Sequence, residues 1–261
     1  AVHSNGSVSV TGGTLTAVSG DDGIHADKSL SVSGGDIVIT GSYEGLESAD
    51  IAISGGNISV KASDDGINAS DGSGNSMMGV AQNVSLVISG GYIFVDAGGD
   101  GIDSNAAITV TGGVTLVSGP TSNGDSAIDY ETGATVTGGI LIAAGSSGMA
   151  EGFTSADGQG AMLVNIASQS AGTSLVLCDS DGKAIVSFTP KKQYSSVVIT
   201  APGISSGNTY TLITGASVTG TDSNGYASSP EYSGGTSAAT VNMTSDIYGT
   251  GGGAGFRPGK R

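Results

Sequence analysis

The sequence predicts an all-β protein built as a right-handed parallel β-helix, with coils of about 22 residues and a C-terminal antiparallel β cap. Three observations predict this fold: a repeated Ser/Thr-Gly-Gly unit, alternating apolar residues on both sides of that unit, and a second repeated corner that is rich in carboxylates. Glycine supplies 47 of the 261 residues, yet Val, Ile and Leu recur at regular intervals between the glycines. This pattern indicates many short strands joined by tight turns rather than a disordered chain.

The Ser/Thr-Gly-Gly unit sets the period of the repeat. Its six copies begin at Thr11, Ser33, Ser54, Ser89, Thr111 and Thr137. The intervals between them are 22, 21, 35, 22 and 26 residues, so the underlying period is about 22. The longest interval contains an inserted loop at 71–82, and the interval of 26 contains a shorter one at 120–123. A period of this size is typical of solenoid architectures.

Apolar residues alternate on either side of these units, as at Val8 and Val10 before the first and at Ile37 and Ile39 after the second. Alternation with period two predicts half-buried strands, and a Gly-Gly pair permits a backbone corner between them. Three strands and three corners in about 22 residues make one turn of a parallel β-helix. An antiparallel meander would instead repeat in hairpins of about 8–12 residues, and the leucine-rich-repeat pattern is absent. The general rule for parallel crossovers predicts the right-handed form.

The pattern divides the chain into three parts: the parallel β-helix at 1–157, a C-terminal β-strand cap region at 158–248 and a Gly-rich basic tail at 249–261. In the cap region, ordinary strands are expected at 162–167, 174–178, 184–188, 196–200 and 210–213, with a weaker candidate at 239–243. An antiparallel cap over the open end of the coil would cover backbone groups and core that are otherwise exposed.

The second corner is acidic in most coils, and stacking places its equivalent residues about 4.8 Å apart on neighbouring coils. One ladder is expected to run through Asp22, Glu44, Asp65, Asp100, Ser126 and Glu151. Another, three residues further on, is expected to run through His25, Glu47, Asn68, Asp103, Asp129 and Thr154. Between the two ladders, a core stack is expected from Ile24, Leu46, Ile67, Ile102, Ile128 and Phe153.

Stacked carboxylates repel one another where water is scarce, so protons, water or cations must offset their charge. Calcium needs roughly six to eight oxygen ligands, which neighbouring coils supply as carboxylates, an amide and corner carbonyls. The predicted calcium ligands are Asp21, Asp22, Glu44, Glu47, Asp64, Asp65, Asn68, Asp100, Asp103, Asp125, Asp129 and Glu151. The alternative is a solvated acidic corner that only keeps the protein soluble. Zinc is disfavoured, because His3 and His25 are the only histidines and Cys178 is distant.

The charge of the chain excludes some partners. The formal net charge is −15, and residues 1–157 carry 18 of the 23 acidic residues with only Lys28 and Lys61 as bases. Nucleic acid is therefore an unsuitable partner, because phosphate binding needs a positive surface. No stretch approaches the length of about 18 apolar residues that a membrane-spanning helix requires, so no membrane insertion is expected.

Three copies of the second corner carry a family resemblance. Residues 19–27 read Ser-Gly-Asp-Asp-Gly-Ile-His-Ala-Asp, residues 42–48 read Ser-Tyr-Glu-Gly-Leu-Glu-Ser and residues 62–69 read Ala-Ser-Asp-Asp-Gly-Ile-Asn-Ala. This region, 1–157, resembles the bacterial carbohydrate-binding domain family first recognised in cellulolytic clostridia. The strand-rich segment through Gly215 resembles the C-terminal part of that family more loosely. The sequence departs from the motif at Ser126-Ala127 and Met149-Ala150, which weakens the expectation of a metal at the last coils.

The resemblance implies a pectate-lyase-like β-helix, calcium binding and an association with cellulose or acidic plant polysaccharides. It also implies a secreted or cell-surface bacterial protein, either a monomer or a module of a larger surface protein. We therefore expect non-catalytic binding of a polysaccharide, with Tyr43, Tyr92 and Tyr130 as candidates for stacking on sugar rings. One alternative is a calcium-dependent lyase on uronic-acid polymers that uses Lys28 or Lys61 as base. Another is a structural or adhesin stalk in which calcium only stiffens the coils.

Overall fold

A computed structural model describes residues 1–72, 83–249 and 251. These residues form strands and no helix, so the described part of the chain contains no helix that could cross a membrane. The strands are β1 (Val2–Ser4), β2 (Ser7–Ala17), β3 (Ile24–Ile39), β4 (Leu46–Ala62), β5 (Ile67–Ala69), β6 (Ser85–Ala97), β7 (Ile102–Ser104), β8 (Ala107–Val110), β9 (Val114–Ser118), β10 (Ile128–Tyr130), β11 (Gly133–Val136), β12 (Ile140–Gly145), β13 (Ser155–Ala156), β14 (Ala161–Gln169), β15 (Leu175–Cys178), β16 (Ala184–Phe188), β17 (Tyr194–Thr200), β18 (Thr209–Thr214), β19 (Ser217–Thr219), β20 (Glu231–Ser233), β21 (Thr236–Asn242) and β22 (Ile247–Tyr248). Most of the inserted loop predicted at 71–82 and most of the tail predicted at 249–261 lie outside the described residues.

The N-terminal part is the predicted parallel β-helix, with about seven turns of about 22 residues. Strands β2, β3, β4 and β6 pair in parallel, each with the equivalent strand one coil later. These strands continue through the Gly-Gly corner rather than ending at it, with a shift of register at each corner. Gly35 at such a corner has a φ of 99°, a conformation that side chains with a Cβ rarely adopt. In these coils the corner is therefore a bend within one strand, whereas in the later coils it separates β8 from β9 and β11 from β12.

The interior of the coil is a set of apolar stacks. Ile24, Leu46, Ile67, Ile102, Ile128 and Phe153 are all buried in one cluster, as predicted for the core stack between the two ladders. Parallel pairing places the first five directly above one another. Burial of these side chains is the main source of stability in such a fold, at about 1.5–3 kcal/mol for each large apolar residue.

The C-terminal part contains the predicted antiparallel strands, but it covers more than the end of the coil. Strand β17 lies between β12 and β14 and is antiparallel to both, so it covers the backbone edge that β12 would otherwise expose. A separate four-stranded antiparallel sheet has the order β16-β15-β18-β21. Its buried residues pack with outward-facing residues of the coil, among them Phe94, Leu116 and Ile142.

The outer face of the coil explains why this sheet packs against its side. Parallel pairing aligns one outward-facing residue from each of five successive coils. In coil order these residues are Val38, Ser59, Phe94, Leu116 and Ile142. The early coils therefore present a more polar face to solvent, whereas the later ones present large apolar side chains that need a covering partner. An ion pair of 2.9 Å between Lys192 Nζ and Asp96 Oδ1 also joins the two parts.

Candidate metal and glycan site

The acidic corner is the stack of second corners around Asp22, Glu44, Asp65, Asp100, Ser126 and Glu151. Backbone hydrogen bonds hold it together: the N–H groups of Gly23, Gly45, Gly66 and Gly101 donate to the carbonyls of Glu44, Asp65, Asp100 and Ser126 at 2.9–3.0 Å. The structure thus places the first ladder in the predicted register through Ser126. At the last coil, the Glu151 N–H donates to Ser126 Oγ at 3.3 Å.

Side chains of the first ladder also bind the backbone of the next coil. The Asp100 N–H donates to Asp65 Oδ1 at 2.7 Å, and the Ser126 N–H donates to Asp100 Oδ1 at 2.5 Å. The Glu44 N–H makes a longer contact of 3.4 Å to Asp22 Oδ1. These aspartates therefore help to fix the spacing of the coils, a structural role that the repeat pattern does not indicate.

The second ladder follows the predicted register and extends one coil further towards the N terminus. Pairing joins His25 to Glu47, Glu47 to Asn68, Asn68 to Asp103 and Asp103 to Asp129. His3 lies beside His25 at the start of the ladder, although it was not among the predicted site residues. His3 and His25 are 22 residues apart in the sequence, which is one period of the repeat, and this spacing indicates that they lie side by side on neighbouring coils. At the other end, Thr154 Oγ1 bonds to the backbone of Ala134.

The first coils of the acidic corner contain an imidazole among carboxylates. His25 Nδ1 contacts Glu47 Oε2 and lies 3.2 Å from Asp22 Oδ2, while its Nε2 lies 3.0 Å from Asp27 Oδ1. Burial lowers the pKa of His25, but hydrogen bonds to Asp27 and Glu47 and the charges of Glu47 and Asp22 outweigh it, so the pKa is raised overall. An imidazolium here would offset part of the carboxylate charge.

Glu44 lies in a setting that favours its protonated form. Burial, followed by the charge of Glu47, raises the pKa of Glu44 to about 8, although a hydrogen bond from Asn68 acts in the opposite direction. That bond runs from Asn68 Nδ2 to Glu44 Oε2 at 2.9 Å. Burial also raises the pKa of Glu47. Without a cation, folding therefore opposes ionisation of these carboxyls.

The aspartate cluster, Asp65, Asp100 and Asp103, lies in the middle of the acidic corner. One carboxylate oxygen from each residue lies within 4.8 Å of those of the other two. Asp100 is only 4% exposed. Burial, followed by the charges of Asp129, Asp65 and Asp100, raises the pKa of Asp103 well above its usual range. Three carboxyls this close, one of them deeply buried, need protons or a cation to relieve their repulsion.

Asn68 is the neighbour of Asp103 in the second ladder and is 8% exposed. Among the described residues, its Oδ1 atom is buried and accepts no hydrogen bond. A buried amide oxygen without a donor is costly, which makes it a candidate for cation coordination. The three carboxylates of the cluster and the amide oxygen of Asn68 on this ladder are all oxygen donors, which suit calcium better than zinc.

The other predicted calcium ligands occupy different settings. The structure places Asp21 at the exposed surface, where its carbonyl accepts the Tyr43 N–H at 2.9 Å. The Asp64 and Asp65 Oδ1 atoms both approach Gly99, where an added Cβ would lie 2.5 Å from each. Asp125 Oδ2 accepts the Ser122 hydroxyl at 2.5 Å, and Glu151 is buried at the last coil. These positions are spread along the corner rather than gathered in one site.

The three predicted aromatic residues differ in exposure. Tyr43 is 51% exposed and lies on the acidic corner. The Tyr92 hydroxyl donates to Asp222 Oδ2 at 2.5 Å, and its ring packs beside Tyr226. The Tyr130 hydroxyl donates to the Gly152 carbonyl at 2.5 Å, and its ring packs against the coil interior. Of the three, Tyr43 has the ring most open to a sugar.

Comparison with known families supports one part of the predicted function. A family described as carbohydrate-binding domain-containing protein matches residues 1–76, the region that holds the corners at Asp22, Glu44 and Asp65. The match supports carbohydrate binding. No curated protein and no solved structure matches this chain.

Proposed function

We propose that this protein is a non-catalytic, calcium-binding protein that recognises plant cell-wall polysaccharide, either an acidic pectin-like glycan or cellulose, outside the cell. The observation that carries the calcium part is the aspartate cluster together with the buried Oδ1 of Asn68. The family match over residues 1–76 supports the carbohydrate part. A solvated corner that only favours solubility does not account for a buried Asp100 or for the buried amide oxygen.

Calcium would serve two purposes at this corner. When bound, the cation supplies positive charge that lets the aspartates ionise inside a partly dry stack. A calcium ion with open coordination positions could also accept carboxylates of an acidic polymer. The residues of this chain would hold the ion in the ladder, and Tyr43 would offer an exposed ring on the same acidic corner.

Calcium titration monitored by calorimetry and by thermal unfolding tests the metal part. We expect Asp103→Asn to weaken calcium binding by about tenfold or more, because the charge of the ligands sets the affinity of such sites. The matched control is Asp36→Asn, which removes an exposed carboxylate from β3. Equal calcium affinity in the two variants would exclude the aspartate cluster as the site.

A glycan pull-down on polygalacturonate and on cellulose, with and without a chelator, tests the binding part. We expect the wild-type protein to be retained on a polymer in calcium. Loss of retention in chelator with an unchanged circular dichroism spectrum would support an ion that bridges protein and polymer. Calcium-dependent stabilisation without retention on either polymer would support the stalk hypothesis instead. Ultraviolet absorbance from unsaturated products that grows on polygalacturonate would overturn the non-catalytic assignment.

Tyr43→Ala tests whether an aromatic ring contributes to glycan binding. Loss of a stacking surface is expected to weaken retention by about five- to tenfold, while the fold is kept because the ring is half exposed. Tyr248→Ala, which removes a second exposed tyrosine, is the control. If both variants bind like the wild type, sugar recognition does not depend on Tyr43.

A further inference from the structure

The first two coils bring together the two histidines of the chain. Strand β1 pairs in parallel with β3, and this pairing sets His3 directly against His25. Their rings are stacked, with centroids 4.7 Å apart and planes 9° from parallel. Histidines that are distant in the sequence therefore become neighbours at the start of the second ladder.

A carboxylate completes a group of three metal-ligand side chains. One ligand atom each from His3, His25 and Asp27 lies within 4.8 Å of the other two. The His25 Nε2 atom is 3.0 Å from Asp27 Oδ1. On the neighbouring coil, His3 Nε2 is 3.0 Å from Asn5 Oδ1. Zinc binds imidazole nitrogen and carboxylate oxygen at about 2.0–2.2 Å, so small side-chain rotations would bring these atoms onto one ion.

The surroundings of His25 suit a metal ligand. Its Nδ1 atom contacts Glu47 Oε2 and lies 3.2 Å from Asp22 Oδ2, inside the acidic corner. Histidines that bind metals usually donate the second ring N–H to a carboxylate, which fixes the tautomer and orients the other nitrogen towards the metal. With the proton on Nδ1, the lone pair of Nε2 faces Asp27 at the surface.

An ion could reach this group from solvent. His3 is exposed and Asp27 is 50% exposed, so the side of the group away from Glu47 is open. Water can then fill any remaining coordination position. Two imidazoles and one carboxylate prefer zinc and similar transition metals, whereas calcium prefers oxygen ligands alone.

We propose that His3, His25 and Asp27 bind a transition-metal ion of the Zn²⁺ type at the first coils, with Glu47 as a positioning residue for His25. This site is separate from the aspartate cluster and does not rest on the function proposed above. Its donor set is mixed nitrogen and oxygen, and the ligands come from strands β1 and β3.

Zinc titration of the full chain by calorimetry, in competition with a chelator of known affinity, tests the proposal. We expect one zinc ion per chain, lost in His25→Gln and strongly weakened in His3→Gln and Asp27→Asn. Glu47→Gln is expected to weaken zinc binding by about 10–100-fold, as is usual for partners that orient a ligand. Asp36→Asn, on the same strand as His25, should leave the affinity unchanged. When Co²⁺ replaces Zn²⁺, the visible absorption bands of the wild-type complex should be absent in His25→Gln.

The histidine variants also separate this site from simpler explanations. Adventitious zinc binding through His3 alone would survive His25→Gln and Asp27→Asn. That result would overturn the proposal, as would zinc affinity that is unchanged in all three ligand variants. Asp103→Asn should leave zinc binding intact even if it abolishes calcium binding, so the two proposals can fail independently.

Discussion

Gly45→Ala is expected to lower the free energy of unfolding of the coil by about 3 kcal/mol or more. The added methyl group would press against backbone atoms that cannot move aside, and overpacking of this kind is the most destabilising. Gly45 is buried in the acidic corner. A Cβ at this position would meet the Gly66 carbonyl oxygen of the next coil and the Val60 side chain, both well inside the 3.0 Å that real Cβ atoms keep. The Gly66 carbonyl also accepts the Leu46 N–H, so moving it would disturb the stacking of two coils.

Chemical unfolding followed by circular dichroism measures this effect. Gly12→Ala is the control, because a Cβ at Gly12 has no atom within 4 Å among the described residues. That variant should change the free energy of unfolding by no more than about 0.5 kcal/mol. Equal midpoints for the two variants would show that neighbouring coils do not approach as closely at Gly45 as the structure indicates.

One coil of this protein already has alanine at the position equivalent to Gly45, together with a smaller residue on the strand that faces it. The equivalents Gly66 and Gly101 face Val95 and Val117 in the way that Gly45 faces Val60. The next coil has Ala127 at the glycine position, and there the residue in register with Val117 is Ala143. The larger residue at the corner thus accompanies a smaller one on the facing strand. We therefore expect Val60→Ala to rescue part of the Gly45→Ala effect, but not the clash with the Gly66 carbonyl.

The second large effect is a loss of stability as pH rises when no divalent cation is present. Burial, with the charge of Glu47, raises the pKa of Glu44 from 4.5 to about 8. The folded state then binds the proton more tightly than the unfolded state, so stability is greatest below the unfolded pKa and falls as pH rises towards 8. The raised pKa values of Glu47, Asp103 and His25 act in the same direction.

Thermal unfolding in chelator between pH 5 and pH 8 measures this loss. Glu44→Gln should keep the hydrogen bond from Asn68 and remove the charge, so we expect it to be more stable than the wild type by about 2 kcal/mol near pH 8, after allowance for partial solvation. The advantage should vanish near pH 5. Asp36→Asn should show no such pH-dependent gain.

Calcium should reverse the trend if it binds the corner. Ionised carboxylates are then neutralised by the cation, and binding to the folded state alone adds stability by mass action. The gain from calcium should therefore be larger at pH 8 than at pH 5. A wild-type protein that becomes more stable with rising pH in chelator would contradict the electrostatic account of the corner.

Much of the acidic corner could be predicted from the sequence because a parallel β-helix converts sequence period into spatial neighbours. Residues one period apart, such as Glu47 and Asn68, pair directly in the structure. The same reasoning extended to His3 and His25 would have placed the histidines side by side. Zinc is disfavoured in the sequence because there are only two histidines and Cys178 is distant, but that reasoning leaves out that the two histidines lie one coil apart.

The roles of individual side chains could not be predicted in the same way. Period and alternation show which residues share a ladder, but they do not show which oxygen accepts a backbone N–H. The bonds from Asp100 and Ser126 to the preceding aspartates depend on side-chain rotamers and on the gap between coils. Likewise, Tyr43 and Tyr92 looked equivalent as aromatic residues, and only the packing of Tyr92 against the C-terminal part distinguishes them.

The sequence by itself determined the coil, its period, the two ladders and the apolar stack between them. Each of these features follows from residue types that recur at the same position in every repeat, and such a pattern is visible in the sequence alone. The tertiary structure alone decided where the C-terminal sheet packs, how Asp65, Asp100 and Asp103 gather, and that Asn68 Oδ1 is buried. These features depend on contacts between segments far apart in the chain. Their burial and distances follow from the packing of whole coils and sheets, and no repeat in the sequence records them.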